Sequence, residues 1–252
     1  MKISESPALK GLGQRRVRFY ITNPAPCPYL EGQTERKVFT NLAVDDAEAL
    51  HDALSHGGFR RSQSIAYRPA CASCKACQAT RVPVSDFAFT KRWKRVLSKN
   101  KELVRSPVRP SATREQYRLL KAYLDSRHAD GGMASMELRD YVSMVEGSPV
   151  PTVVFEYRAG DSDDAPLLAA ALVDVLKDGL SMVYSFFDPS LSDRGVGNFM
   201  ILDQIRYAQE LGLDYVYLGY WVDGSPKMGY KASFRPLEVL DAEEWRILKD
   251  AD

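Results

Sequence analysis

No run of apolar residues in this chain approaches the roughly 20 needed to cross a bilayer, which excludes a helical membrane protein. The first 18 residues contain no apolar h-region, so a secretory signal is not expected. An excess of either charge is missing too. Lys and Arg total 34 against 33 Asp and Glu, a formal net charge of +1. Any grip on nucleic acid must therefore come from a local basic patch, not from the global field. Cysteine is scarce, with four in 252 residues. In the cytoplasm, expected for a chain without an export signal, four such thiols bind metal or stay reduced rather than form disulfides. The remaining composition, 45% hydrophobic and 27% charged, fits a soluble globular protein of one large or two modest domains.

Along the chain, residues 17–21 alternate as a short strand would. Pro24, Pro26 and Pro28 exclude helix and hold Cys27 on a rigid extended loop. A helix is expected over residues 45–56, capped by Asp45 or Asp46 and ended by Gly57-Gly58. Arg60 and Arg61 follow, and paired guanidinium groups offer bidentate donors to a carboxylate or phosphate. In the run Cys71-Ala-Ser-Cys74-Lys-Ala-Cys77, two residues separate each successive pair of thiols. One tight loop can thus present them to a single ion, and the spacing also fits the first three ligands of an iron–sulfur run. Cys27 is the one cysteine left to complete a four-thiolate site. Spacing alone leaves zinc, an iron–sulfur cluster and reduced thiols open. A strand then leaves the loop over residues 80–84, and Pro83 argues for a sheet edge. Basic residues concentrate next: Lys91, Arg92, Lys94, Arg95, Lys99 and Lys101, interleaved with Phe87, Phe89 and Trp93. Such groups neutralise phosphates and stack on unpaired bases, so Lys91, Arg92, Lys94 and Arg95 are candidate RNA contacts. The competing reading is a solvated helix face.

Pro107 and Pro110 mark a boundary between a cysteine-containing region with its basic stretch (1–106) and a second domain (107–252). Helices are expected over residues 113–128 and 136–145, and a strand over 152–157. Residues 167–176 and 180–187 form a long apolar hairpin turning at Lys177-Asp178-Gly179. Asp188-Pro189 ends it. Arg194-Gly195-Val196-Gly197 then leads into a helix over 198–211 and a strand over 214–219. A glycine-rich turn at a helix N-terminus presents bare amide donors to an anion. This one resembles the pyrophosphate loop of GCN5-related acyltransferases, with Arg194, Gly195 and Gly197 as its candidates. The last strand delivers the chain to residues 219–236. There Asp223-Gly224-Ser225-Pro226 breaks regular structure, and Lys227 and Lys231 share one face of a helical turn. Framed by Tyr220, Trp221 and Tyr230, this basic pair suits an anionic ligand.

Several of these pieces recur together. Cys27-Pro28-Tyr29-Leu30, Phe59-Arg60-Arg61-Ser62, Tyr67-Arg68-Pro69-Ala70-Cys71 with Cys74 and Cys77, Phe187-Asp188-Pro189, and Lys227-Met228-x-Tyr230-Lys231-x-x-Phe234-x-Pro236 occur in this order. The set resembles the arginyl-tRNA–protein transferase family and, in length and cysteine spacing, its short bacterial, leucine-transferring branch. Leu30 stands where the eukaryotic relatives carry a second cysteine, so their cluster chemistry does not carry over to Cys27, Cys71, Cys74 and Cys77.

The resemblance implies an α+β fold of the GCN5-related (GNAT) type, a mixed sheet flanked by helices, with an N-terminal cysteine-containing α/β region. It implies transfer of leucine from leucyl-tRNA to the N-terminal α-amine of proteins beginning with Asp or Glu, tagging them for N-degron proteolysis. An arginyl donor is the alternative within the family. The aminoacyl ester is already activated, so no cofactor is required for the chemistry, and any zinc or iron–sulfur cluster would be structural. Arg60, Arg61, Lys227 and Lys231 become candidate cations for the acidic acceptor and the tRNA end. Tyr220 and Tyr230 are candidates to orient the ester, and Asp188 to accept a proton. Lys91, Arg92, Lys94 and Arg95 would steer the acceptor stem, and Arg194 with the Gly195 and Gly197 amides would hold a terminal phosphate. Two readings outside the family each fit a part. A coenzyme A-dependent N-acetyltransferase explains residues 194–197 but not the cysteines. A non-catalytic RNA-binding module explains the cysteines and the basic patch but leaves the C-terminal half unused.

Overall fold

The computed structural model describes residues 17–127, 133–162 and 164–249. The N-terminal part runs β1 (Tyr20–Ile21), β2 (Ala25–Pro26), β3 (Thr34–Glu35), β4 (Lys37–Asn41), α1 (Ala47–His56), β5 (Arg60–Ser62) and β6 (Ile65–Pro69). Next come β7 (Cys77–Pro83), α2 (Lys91–Lys99), β8 (Leu103–Val108), α3 (Arg114–Arg127) and α4 (Leu138–Glu146). The rest is β9 (Thr152–Ala159), β10 (Leu167–Val175), β11 (Gly179–Phe187), α5 (Val196–Glu210), β12 (Tyr215–Val222), β13 (Glu238–Asp241) and β14 (Glu244–Ile247). No helix among the described residues is long and apolar enough to cross a membrane.

The expected mixed α+β architecture is what the chain adopts. Eight strands form one sheet in the order β14-β13-β7-β12-β11-β10-β9-β8. Every neighbouring pair is antiparallel except β11 and β12, which α5 joins as a crossover. Alternate residues of a strand face opposite sides, and both sides of β10 are covered. Ala169, Ala171 and Val173 pack with α5 residues Phe199, Met200, Leu202 and Ile205. Ala170 and Leu172 pack with Leu120, Leu124, Tyr141 and Val145 of α3 and α4. Burial on both faces explains why this strand reads as a continuous apolar run rather than an alternating one.

Two expectations change. The strand at 17–21 is paired only at Tyr20 and Ile21. Pro83 does not mark a sheet edge, because β7 lies inside the sheet between β13 and β12. Its neighbour β13 pairs only with Arg81 and Thr80, so the missing N–H of Pro83 falls beyond that ladder. Residues 77–106 supply β7, α2 and the start of β8 to the large unit, and the 106/107 boundary falls within β8.

A second sheet, β1-β4-β6-β5, carries α1 and its own small core of Leu42, Leu50, Leu54 and Ala66. It docks on the large sheet through polar groups. Arg61 donates from Nε and Nη2 to the two oxygens of Asp174 at 2.7 Å each. His51 Nε2 and Thr152 Oγ1 reach the same carboxylate at 3.1 and 2.9 Å. Both Arg61 and Asp174 side chains are 0% exposed. Burial pushes the Asp174 carboxyl up, but the hydrogen bonds from His51 and Arg61 outweigh it and hold it below the usual carboxylate range. Nearer the surface, His56 Nε2 meets Asp178 Oδ2 at 2.9 Å, and Asp52 accepts from the Lys177 amide.

Removing one member of a buried ion pair strands the other and costs about 3–5 kcal/mol. Denaturant unfolding of Asp174→Ala should show a loss of that size, and a loss below about 1 kcal/mol would mean the pair behaves like a surface one. His56 gives a pH signature. Its pKa is raised by the Asp178 hydrogen bond, against the opposing effect of burial, with the Asp52 carbonyl adding. That of Asp178 is lowered by His56 and Tyr217 in spite of burial. The histidine's contribution is complete below about pH 6.5 and fades as pH rises through its raised value, while the aspartate's is complete above about pH 4. The melting temperature lost in His56→Ala should be largest between these limits and shrink as pH rises through the raised histidine value; a pH-independent loss would refute the pairing.

Candidate active site

Strands β11 and β12 run together for only three pairs: Gly179 with Tyr215, Leu180 with Val216, and Ser181 with Tyr217. Beyond Ser181 and Tyr217 they part. Both strands are irregular at that level. The β10–β11 register slips so that Val173 pairs with Met182 and Leu172 with Tyr184, leaving Val183 extra. The β12–β7 register slips between Tyr217 and Gly219, leaving Leu218 extra. Such bulges bend a strand and re-aim its groups, and they concentrate beside active sites.

Two basic side chains from the sequence motifs enter this opening. Arg60 Nη2 donates to the carbonyls of Met182 at 2.6 Å and Val183 at 3.2 Å, both on the β11 side. Lys231 Nζ donates to the Tyr220 carbonyl of β12 at 2.6 Å and lies 3.7 Å from Met228 Sδ. Lys231 is 5% exposed. Its burial, and then the charge of Arg60, hold its pKa well below the ordinary lysine range. The expected shared face of Lys227 and Lys231 is not found: the segment Gly229–Ser233 is a 3-10 turn that buries Lys231 and leaves Lys227 exposed.

The remaining candidates separate. Tyr220 is buried, and its hydroxyl lies 2.9 Å from the Gly58 carbonyl and 3.0 Å from the Tyr67 carbonyl, which share its one proton, so it anchors the smaller sheet. Tyr230 lies at the mouth and keeps 45% of its surface. Burial pushes its hydroxyl up, with Arg60 opposing and Tyr123 adding. Tyr123 packs against Phe187 with ring centroids 5.1 Å apart and planes tilted by 58°, and the Arg127 guanidinium lies 5.3 Å from the same ring. Asp188 accepts from the Ser190 amide at 2.9 Å and caps the turn Pro189–Arg194. Arg194 reaches the Lys99 carbonyl and the Glu102 carboxylate. Gly195, in the left-handed region at φ 70°, and Gly197 open α5. Arg61 is committed to Asp174. Lys91, Arg92, Lys94 and Arg95 are exposed on α2, while Trp93 turns inward and stacks on Phe234 at 4.6 Å.

None of the four cysteines is in a disulfide, and all are partly buried. Cys27 sits in the β2–β3 hairpin, Cys71 and Cys74 in the β6–β7 loop, and Cys77 opens β7. Burial, and then the charges of Cys27, Cys71 and Cys74, push the Cys77 thiol up to about 11. The four thiols are the donor types of a thiolate metal site, but no three of the sulfurs lie within 4.8 Å of one another. Among the described residues the group that does is Asp52, His56 and Asp178. Both ring nitrogens of His56 are already engaged there, by Asp178 and the Asp52 carbonyl. Sequence reasoning missed Asp174 and Gly219. The one signal for Asp174 was an acid inside an apolar strand.

Residues 25–95 match the N-terminal part of the arginine-tRNA-protein transferases and residues 115–241 match their C-terminal part. A relative from Hyphomonas neptunium, named aspartate/glutamate leucyltransferase, is 57% identical over 250 residues, 99% of each chain. One of the same name from Phenylobacterium zucineum is 52% identical over 240 residues, 94% of this chain and 93% of its own. Among solved structures, FemX aligns with 77% of this chain and 65% of its own at TM-score 0.45 and 10% identity. With both family halves found in order and a relative alike from end to end, the chain belongs to the arginine-tRNA-protein transferase family.

Proposed function

We propose that the protein transfers leucine from leucyl-tRNA to the N-terminal α-amine of proteins that begin with Asp or Glu. The observation that carries this reading is the likeness, at 57% and 52% identity over nearly the whole chain, to proteins named aspartate/glutamate leucyltransferase. Those names favour a leucyl over an arginyl donor. Marking the product for N-degron proteolysis is the consequence this reading assigns to the reaction.

The chemistry needs little beyond positioning. The α-amine attacks the ester carbonyl carbon, the carbonyl oxygen takes up negative charge, and the bond to the tRNA ribose oxygen breaks as the amide forms. The amine nitrogen gives up a proton and the ribose oxygen gains one. Holding both reactants in line and favouring negative charge at the carbonyl oxygen supply most of the acceleration. Arg60 makes the opening between β11 and β12 electropositive, which suits both an acidic acceptor and the developing oxyanion, and the buried Lys231, whose charged form is disfavoured there, adds a hydrogen-bond donor. Lys227 and Tyr230, exposed beside it, are the groups this reading assigns to incoming substrate. Asp188 is left as a turn cap. The exposed cations of α2 suit the acceptor stem, and the first amides of α5 suit a terminal phosphate. Cys27, Cys71, Cys74 and Cys77 are the residues that would hold a structural zinc or iron–sulfur cluster. When bound, it would fix the β2–β3 hairpin to the β6–β7 loop.

Purified protein incubated with labelled leucyl-tRNA and peptides differing only at residue one should transfer leucine to Asp and Glu but not to Gly or Lys. Transfer from arginyl-tRNA alone would move the protein to the other donor, and no transfer from either would end the reading. Neutralising Lys91, Arg92, Lys94 and Arg95 should weaken tRNA binding and lower the slope of log affinity against log salt by about one for each phosphate left without its cation. An unchanged slope would remove α2 from the tRNA path.

A further inference from the structure

Arg60 was one of four candidates to read an acidic acceptor, yet its Nη2 is already engaged by two backbone carbonyls. In a regular strand, successive carbonyls point to opposite edges. The extra residue Val183 breaks that alternation, and the carbonyls of Met182 and Val183 both face Arg60. Across the opening stands Gly219, in the left-handed region at φ 80°. A Cβ there would fall inside the guanidinium, against Nη1, Cζ and Nε. The Gly219 carbonyl is turned to the far side, where Thr80 Oγ1 donates to it at 2.9 Å. Behind the guanidinium a cavity of only about 10 Å³, lined by Ser55, Thr80, Ser181 and Tyr217 among others, leaves room for about one water.

These observations describe a wedge. Two parallel strands part beyond Ser181 and Tyr217, and one planar cation bonds to the first and lodges against a residue of the second that has no side chain. The cation comes from the smaller sheet. Its neighbour Arg61 points the opposite way on β5 and is tied to Asp174 of β10. The two adjacent arginines thus link the docking of the smaller sheet to the width of the opening.

We propose that Arg60 is a positioning residue for transfer: lodged over Gly219, its guanidinium sets the separation of β11 and β12 and does not read the acceptor's acidic side chain. The inference rests on the transferase reading above and assigns a role within that same site. A lysine cannot replace it: one ammonium could meet both carbonyls, as Nη2 does, but it lacks the planar group whose Nη1, Cζ and Nε cover Gly219.

The test compares R60K, R60M, G219A and the double variant R60M/G219A with the unaltered protein, measuring kcat and KM for an Asp-initiated peptide and for leucyl-tRNA. G219A removes no charge but evicts the guanidinium. Misplacement of reacting groups by about 1 Å costs roughly 10²-fold, so R60K, R60M and G219A should each lose kcat on that order. Both KM values should stay within about threefold, and the preference for Asp over Gly at residue one should persist. Because Arg60 and Gly219 act as one unit, the double variant should be no worse than the worse single one. A rise in KM confined to the acidic peptide with kcat retained in R60M, or losses that multiply in the double variant, would overturn the proposal. Melting curves identify any variant that fails to fold, and R60K, which keeps the charge, then stands in for R60M. If the unaltered protein transfers to no peptide, the transferase reading fails separately. Amide exchange at residues 182–187 and 219–222 then decides: it should quicken in R60M and G219A alike, and unchanged exchange in both would overturn the wedge.

Discussion

Asp174 is a carboxylate with no exposed surface, and most of the architecture depends on how it is satisfied. Alone in an apolar strand it would be protonated or would unfold its surroundings. With Arg61, His51 and Thr152 around it, it stays charged and ties three separate parts of the chain together. Such a pair gives little net stability over an apolar contact of the same shape. Its value is selectivity of docking: the smaller sheet has one place on β10 where the Arg61 charge is matched. The apolar contacts around α1 do not discriminate in that way.

Once Arg61 is placed, β-strand alternation places Arg60 on the other side of β5, over the point where β11 and β12 part. Three cations expected at a substrate site are therefore held by the protein's own acceptors. Arg61 serves a carboxylate, and Arg60 and Lys231 serve carbonyls that strand divergence leaves without partners. Buried carbonyls must be paired, so a sheet that opens needs donors to line the opening. One of those donors, Arg60, brings positive charge to the same place. The electropositive character of the site is thus a by-product of satisfying the split sheet, and it becomes useful when an anion or an oxyanion enters.

What stays outward is equally informative. Lys227, Tyr230 and the polar face of α2 are exposed, while Trp93 pins α2 to the core through Phe234. Arg194 and Asn100 join the end of α2 to the turn before α5. The basic helix, the glycine-rich turn and the mouth of the opening are therefore parts of one packed unit, as a substrate touching all three would require.

Much of the fold was legible in the sequence because its signals are local. Period-two and period-3.6 patterns, the turn at Lys177-Asp178-Gly179 and the glycines around α5 depend on neighbouring residues alone, and the expected hairpin, crossover helix and last strand are all present. Of the motif residues, Arg60 and Lys231 meet at the opening between β11 and β12. Their roles were not legible. Arg60 and Arg61 are adjacent in sequence, yet one meets β11 and the other β10, more than a hundred residues away. Lys227 and Lys231 look equivalent at a spacing of four, but a 3-10 turn buries one and exposes the other. Pro83 reads as an edge signal, yet β7 is interior because its neighbour is short. Order along the chain thus dictates the elements and the chemistry available to them. Which cations hold the protein together and which face solvent is settled in three dimensions alone, because it depends on the distant carbonyls and carboxylates that each one meets.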